Sequence, residues 1–198
     1  MEGDLRAVPR FRIEFTAPAV PDDPRLEELK HWCSVFHQHD LAPLYEHGSF
    51  GNLSFRAAPG SDEFFITASG LKLKDKLSDD CFVKVLTVDL GRQLIRAEGV
   101  SAPSSESMLH YAIYQARAEV NAIFHGHSPA ILNSGSRLKL PSTFNAELYG
   151  SVALVHSVLE VLSDHNFILM KDHGFLSLGK TMESAGAQAL KVLSSASK

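Results

Sequence analysis

The chain has 198 residues, 44% of them hydrophobic, and a formal net charge of −4, which suits one domain with a single core better than two small ones. Lysines and arginines are scattered among acids, so no basic face is offered to nucleic acid. No apolar run approaches the roughly 18 residues of a membrane helix, and the polar start MEGDLRAVPR does not read as a signal peptide. The expectation is a cytoplasmic protein that meets neither nucleic acid nor membrane.

In chain order, residues 1–22 are proline-rich and aperiodic and read as an arm, with the folded domain spanning 23–198. Asp23-Pro24 is a helix-start signal, and Leu26, Leu29, Cys33 and Phe36 recur at helical spacing. Four segments rich in β-branched and aromatic residues follow: NLSFRA, EFFITAS, CFVKVLTVD and LIRAEG, the last two joined by a predicted turn over Asp89 to Arg92. Leu109, Ala112, Ile113 and Ala116 mark the buried face of a helix, and Glu106 falls in its first turn. VNAIFHGH reads as a strand, Ser128-Pro129 as a helix cap, residues 151–163 as a helix, FILMKDHG and FLSLG as strands, and the end from Thr181 as a last helix. This order predicts an α/β fold around a mostly antiparallel sheet. Cys33 and Cys81, the only two cysteines, suit reduced buried thiols better than a disulfide framework.

Side chains at i and i+2 of a strand share a face, so His125 and His127 project together with Gly126 between them. Such a pair is equally an ordinary pair of core or surface histidines. Its place at the end of an apolar strand, before a capped helix, favours a cleft. Catalytic zinc takes three protein ligands and keeps an open position. Of the other histidines, His173 follows an apolar strand and precedes Gly174, whereas the rest lie on helices or turns, so His173 is the third candidate. An ion there would be a Lewis acid able to stabilise an enolate. Glu106 is the carboxylate best placed for proton transfer, although a glutamate at a helix start is as readily a capping residue. Ser104 and Ser105 with the first N–H groups of that helix, Ser69-Gly70 in TASG, and Asn52 in GNLS are candidate anion-binding loops.

Taken in order, GNLSFR, FFITASG, SSESMLH, AIFHGHS and KDHGFLSLG resemble the successive motifs of the class II aldolase/adducin family, from Leu26 to Leu190. The resemblance implies an α/β/α fold and a homotetramer with active sites at subunit interfaces. It implies a zinc cofactor on His125, His127 and His173, with Glu106 as acid/base, and a sugar-phosphate substrate whose phosphate lies among Asn52, Ser69, Gly70, Ser104 and Ser105. The implied activity is that of a lyase, an aldolase that breaks or forms a carbon–carbon bond in a small ketose phosphate through a zinc-stabilised ene-diolate. Another divalent ion could replace zinc on three imidazoles. Dehydratases, epimerases and decarboxylases of the same family are alternatives, as is a non-catalytic adducin-like scaffold. Glutamate at position 106 resembles the aldolases more than the epimerases, which favour aspartate. Two departures stand out: the aldolases carry a tyrosine at the position of Ala146, four residues before a glycine that resembles Gly150, and an extended carboxyl tail beyond the point matching Lys198.

Overall fold

The computed structural model describes residues 11–198. In chain order it contains β1 (Arg12–Ala17), α1 (Leu26–Gln38), the short β2 (Leu44–Tyr45) and β3 (Gly48–Ser49), β4 (Asn52–Arg56), β5 (Phe64–Thr67), β6 (Phe82–Asp89) and β7 (Leu94–Glu98). Then come α2 (Ser107–Ala116), β8 (Ala122–Gly126), α3 (Pro129–Ser134), α4 (Val152–Leu162), β9 (Phe167–Met170), β10 (Gly174–Gly179) and α5 (Met182–Ala196). Eight strands form one sheet in the order β1-β7-β6-β5-β4-β8-β10-β9. Every pairing in it is antiparallel except that of β1 with β7.

The alternation of strand side chains sorts the core into two layers. On one face, Ile66, Ile123 and Leu176 pack with Leu109, Ile113, Val155 and Val158 of α2 and α4. On the other, Leu53, Phe55, Phe124 and Phe175 pack with Leu29, Trp32, Phe36, Met182 and Ala185 of α1 and α5. The chain is thus an α/β/α sandwich, as the family resemblance implies, around the largely antiparallel sheet that the order of segments predicts. Helix ends follow their sequence signals: Ser128 Oγ accepts from Ile131 N–H ahead of Pro129, and Thr181 and Ser184 form a capping box at the start of α5.

Three expectations need correction. Part of the segment read as an arm, Arg12–Ala17, is a strand in parallel register with β7, Arg12 opposite Leu94 and Phe15 opposite Ala97. Its partner lies some eighty positions on, and its side chains are mostly exposed, so no local pattern marks it. Residues 1–10 of that segment lie outside the described residues. Of the thiols, Cys33 is buried but Cys81 is only partly so, and both are free. Finally, β8 ends at Gly126, which leaves His127 one residue beyond the strand. Among the described residues no helix is long and apolar enough to cross a membrane.

Candidate metal and acid/base site

The alternation that builds the core also builds the site. On β8, Ile123 faces the α2 layer, so His125 two residues later faces it too. On β4, Leu53 and Phe55 fill the opposite layer, which turns Asn52 and Ser54 toward α2. Asn52 and His125 are paired in register on neighbouring strands. Glu106 immediately precedes α2, and its side chain makes no capping bond. Instead, Asn52 Nδ2 donates to Glu106 Oε2 at 2.8 Å. The capping reading of Glu106 therefore gives way to a carboxylate held inside the molecule.

His173 is delivered by the tight β9–β10 turn, where His173 N–H donates to Met170 O at 3.1 Å. Gly174 lets that turn close on β8, because a Cβ there would lie 2.5 Å from Gly126 O and 2.8 Å from His125 Cε1. The imidazoles of His125, His127 and His173 then offer ring nitrogens that all lie within 4.8 Å of one another. His127 Nε2 is 3.0 Å from His125 Nε2, His125 Nε2 is 3.1 Å from Glu106 Oε2, and His173 Nε2 is 3.3 Å from Glu106 Oε1.

Protonation decides what these distances mean. His125 Nδ1–H donates to Phe175 O at 2.9 Å, which fixes the tautomer and aims the Nε2 lone pair into the cluster. Burial lowers the pKa of His125 to about 4, against the opposing pull of Glu106. Burial, with the neighbouring imidazoles, lowers that of His127 to about 2. Burial raises Glu106, but His125, His173 and the Asn52 amide outweigh it and bring it to about 2. Near neutral pH His125 and Glu106 therefore form no ion pair; the neutral imidazoles of His125 and His127 stand together beside an ionised carboxylate. Glu106 Oε1 and His173 Nδ1 are buried without a hydrogen-bond partner. Such a donor set fits a cation, and three imidazoles suit a divalent ion of the zinc type with a position left open.

The three histidines and Glu106 line a cleft of about 400 Å³, and so do Asn52, Ser69, Gly70, Ser104 and Ser105. All nine residues singled out in the sequence thus line one cavity. The Asn52 amide is committed to Glu106. Two backbone donors in these loops are used within the chain, Ser69 N–H on Ala102 O at 2.8 Å and Ser104 N–H on Thr67 O at 3.2 Å. Gly70, with φ of +74°, leaves its turn open toward the cleft. Ala146 is exposed, whereas Tyr149 lines the cleft.

Sequence reasoning missed Tyr45, Phe50 and Lys74, all on the cleft wall. Phe50 stacks on His127 with ring centres 4.6 Å apart and planes at 27°, and Tyr45 lies against Phe50 at 4.7 Å. The one available signal was the aromatic residue directly before Gly51-Asn52. Lys74 is buried, and burial lowers its pKa to about 8 against the pull of Cys33 and Glu106.

The fold and this cleft define a class, and comparison with known proteins names it. Residues 27–197 match the Class II Aldolase and Adducin N-terminal domain, and the chain belongs to that family. L-fuculose phosphate aldolase of Methanococcus maripaludis is 31% identical over 156 residues, covering 71% of this chain and 79% of that protein. Methylthioribulose-1-phosphate dehydratase of Leptospira biflexa is 37% identical over 103 residues, covering 52% of this chain and 46% of that protein. Among solved structures, an L-fuculose 1-phosphate aldolase superposes with a TM-score of 0.72 at 22% identity, over 90% of this chain and 85% of that one; at that identity the likeness speaks to the fold. The relatives place the chain among enzymes and point to a lyase of the aldolase type.

Proposed function

We propose that this protein is a divalent-metal-dependent aldolase, zinc being the expected ion, that cleaves or forms a carbon–carbon bond in a small phosphorylated ketose. The observation that carries the reading is the cluster of three imidazoles in an open cleft, two of them directly against one buried carboxylate. His125, His127 and His173 would hold the ion, whose Lewis acidity stabilises negative charge developing on a carbonyl oxygen. Glu106 carries a proton to or from the substrate carbon, and Asn52 keeps its carboxylate oriented toward the cleft. The hydroxyls of Ser69, Ser104 and Ser105 and the turn at Gly70 receive the phosphate. The cleft walls limit water around the reacting carbons. A homotetramer belongs to the same reading, supported by Phe144 and Leu148, which are 72% and 61% exposed on the loop beside the cleft.

Metal analysis tests the reading. The wild-type protein should carry about one divalent ion per chain, and a His125→Ala/His127→Ala variant close to none. Equally negligible metal in both would overturn it. A second reading, dehydration of a methylthioribulose phosphate, is favoured by the relative of that name. Products separate the two: cleavage yields an aldehyde and a shorter ketose phosphate, whereas dehydration keeps the carbon chain intact and releases water.

A further inference from the structure

Among the described residues lining the cleft, Lys74 is the one lysine or arginine, and it is 2% exposed. A cation beside candidate phosphate-binding loops suggests direct contact with the anion. Its donors decide otherwise. An ammonium carries three N–H groups, and three carbonyls surround this one: Gly51 O at 2.5 Å, Phe50 O at 2.8 Å and Ser49 O at 3.4 Å. No donor is left for a substrate.

All three acceptors belong to consecutive residues of one turn, and that turn delivers two side chains to the site. Phe50 stacks on His127, and Asn52, the next residue on, holds Glu106. The turn has little room to drift, because Gly51 sits at φ of +77° with its Cβ position 2.6 Å from His125 O. Ser49 N and Ser49 Oγ both donate to Leu71 O, at 2.8 and 2.9 Å. Leu71 and Lys74 thus grip the turn from the same loop, the one that follows Ser69-Gly70.

We infer that Lys74 is a positioning residue: its ammonium clamps the Ser49–Gly51 turn, keeping Phe50 on His127 and Asn52 on Glu106 without touching substrate. The clamp also joins the loop after Ser69-Gly70 to the start of β4, so the two segments keep a fixed spacing across the cleft. The catalytic consequence rests on the function proposed above; the positioning itself does not.

The test uses Lys74→Met, which keeps the length of the side chain and removes every donor. In the metal-free full-length protein, the Cε1–H resonance of His127, assigned by its loss in His127→Asn, is displaced by the ring current of Phe50. In Lys74→Met it should move to the position seen in Phe50→Leu. Lys74→Arg, which keeps charge and donors, should retain the wild-type position, whereas a lysine that only fills space would be replaced as well by methionine. Should the methionine variant fail to fold, Lys74→Leu, which also lacks every donor, is read in the same way. In the metal-loaded enzyme, kcat on a ketose 1-phosphate should fall roughly 10- to 100-fold with KM and metal content little changed. An unmoved His127 resonance in a folded Lys74→Met overturns the inference whatever the enzyme does. A moved resonance in a protein whose wild type neither binds metal nor turns over upholds the clamp and removes the proposed function instead.

Discussion

Two buried polar clusters lie at opposite ends of β4, and they are completed in different ways. At one end Arg56, 2% exposed, donates to Val120 O, Ser61 O, Tyr114 O and Arg117 O at 2.5 to 3.0 Å and lies 4.5 Å over the Tyr114 ring. At the other end Asn52 opens on Glu106 and the three histidines, where Asn52 Oδ1, Glu106 Oε1 and His173 Nδ1 are buried without partners. Each such atom costs about 1–3 kcal/mol. A cluster that only holds the chain together finds its partners within the chain. The cluster at Glu106 is left open to something from outside it. Lys74 lines the cleft yet belongs with Arg56, since the carbonyls of Ser49, Phe50 and Gly51 take up its donors.

The contrast predicts opposite failures. Glu106→Gln keeps the shape and the Asn52 neighbour but cannot take up the proton, so kcat should fall by roughly 10²–10⁴. Its unfolding midpoint without metal should change less than that of Arg56→Met, because the amide keeps the shape and still accepts from Asn52 Nδ2. Steady-state kinetics and thermal melts read the two halves, and a variant of unchanged kcat would remove Glu106 from its role. Arg56→Met reverses the pattern. It strands four carbonyls, and urea unfolding should show a loss of about 3–5 kcal/mol with metal content per folded chain unchanged. A stable Arg56→Met that no longer holds metal would mean that the two ends of β4 are not independent.

How much of this was legible depended on how local each signal was. His125 and His127 sit two apart on one strand, and period-two geometry alone puts them together. His173 was marked by an apolar strand and by the glycine that its turn requires. Glu106 was readable as a candidate, but a capping role would give the same sequence, and only the missing capping bond and the Asn52 contact separate the two. That contact depends on the register of β4 against β8, which joins residues some seventy positions apart and leaves no local trace. Strand β1 was missed for the same reason. Lys74 was hidden differently: Lys72, Lys74 and Lys76 alternate along one loop, and nothing in that spacing shows which of them is buried.

His110 falls between the two kinds of cluster and sharpens the distinction. It is fully buried; its Nδ1 lies 2.7 Å from Ser54 Oγ, which also meets Tyr114 Oη at 2.8 Å, while its Nε2 has no partner. It is half completed, and it does not line the cleft. If incompleteness matters for function only where it faces the cleft, His110 should influence stability and leave metal binding alone. Burial lowers its pKa from 6.5 to about 3, so between those values the unfolded chain binds the proton and the folded one does not. The sign follows: the contribution of His110 is intact above pH 6.5 and is lost as the pH falls toward 3, at up to about 1.4 kcal/mol per pH unit. The neighbouring imidazoles titrate in the same direction, so the quantity to compare is the slope of stability against pH in wild type and in His110→Gln, both metal-free. The variant should be shallower by up to one proton's worth between about pH 6 and 4, with the metal content of the loaded protein unchanged. Equal slopes would mean that His110 is protonated in the folded state, with its Nε2 finding an acceptor after all.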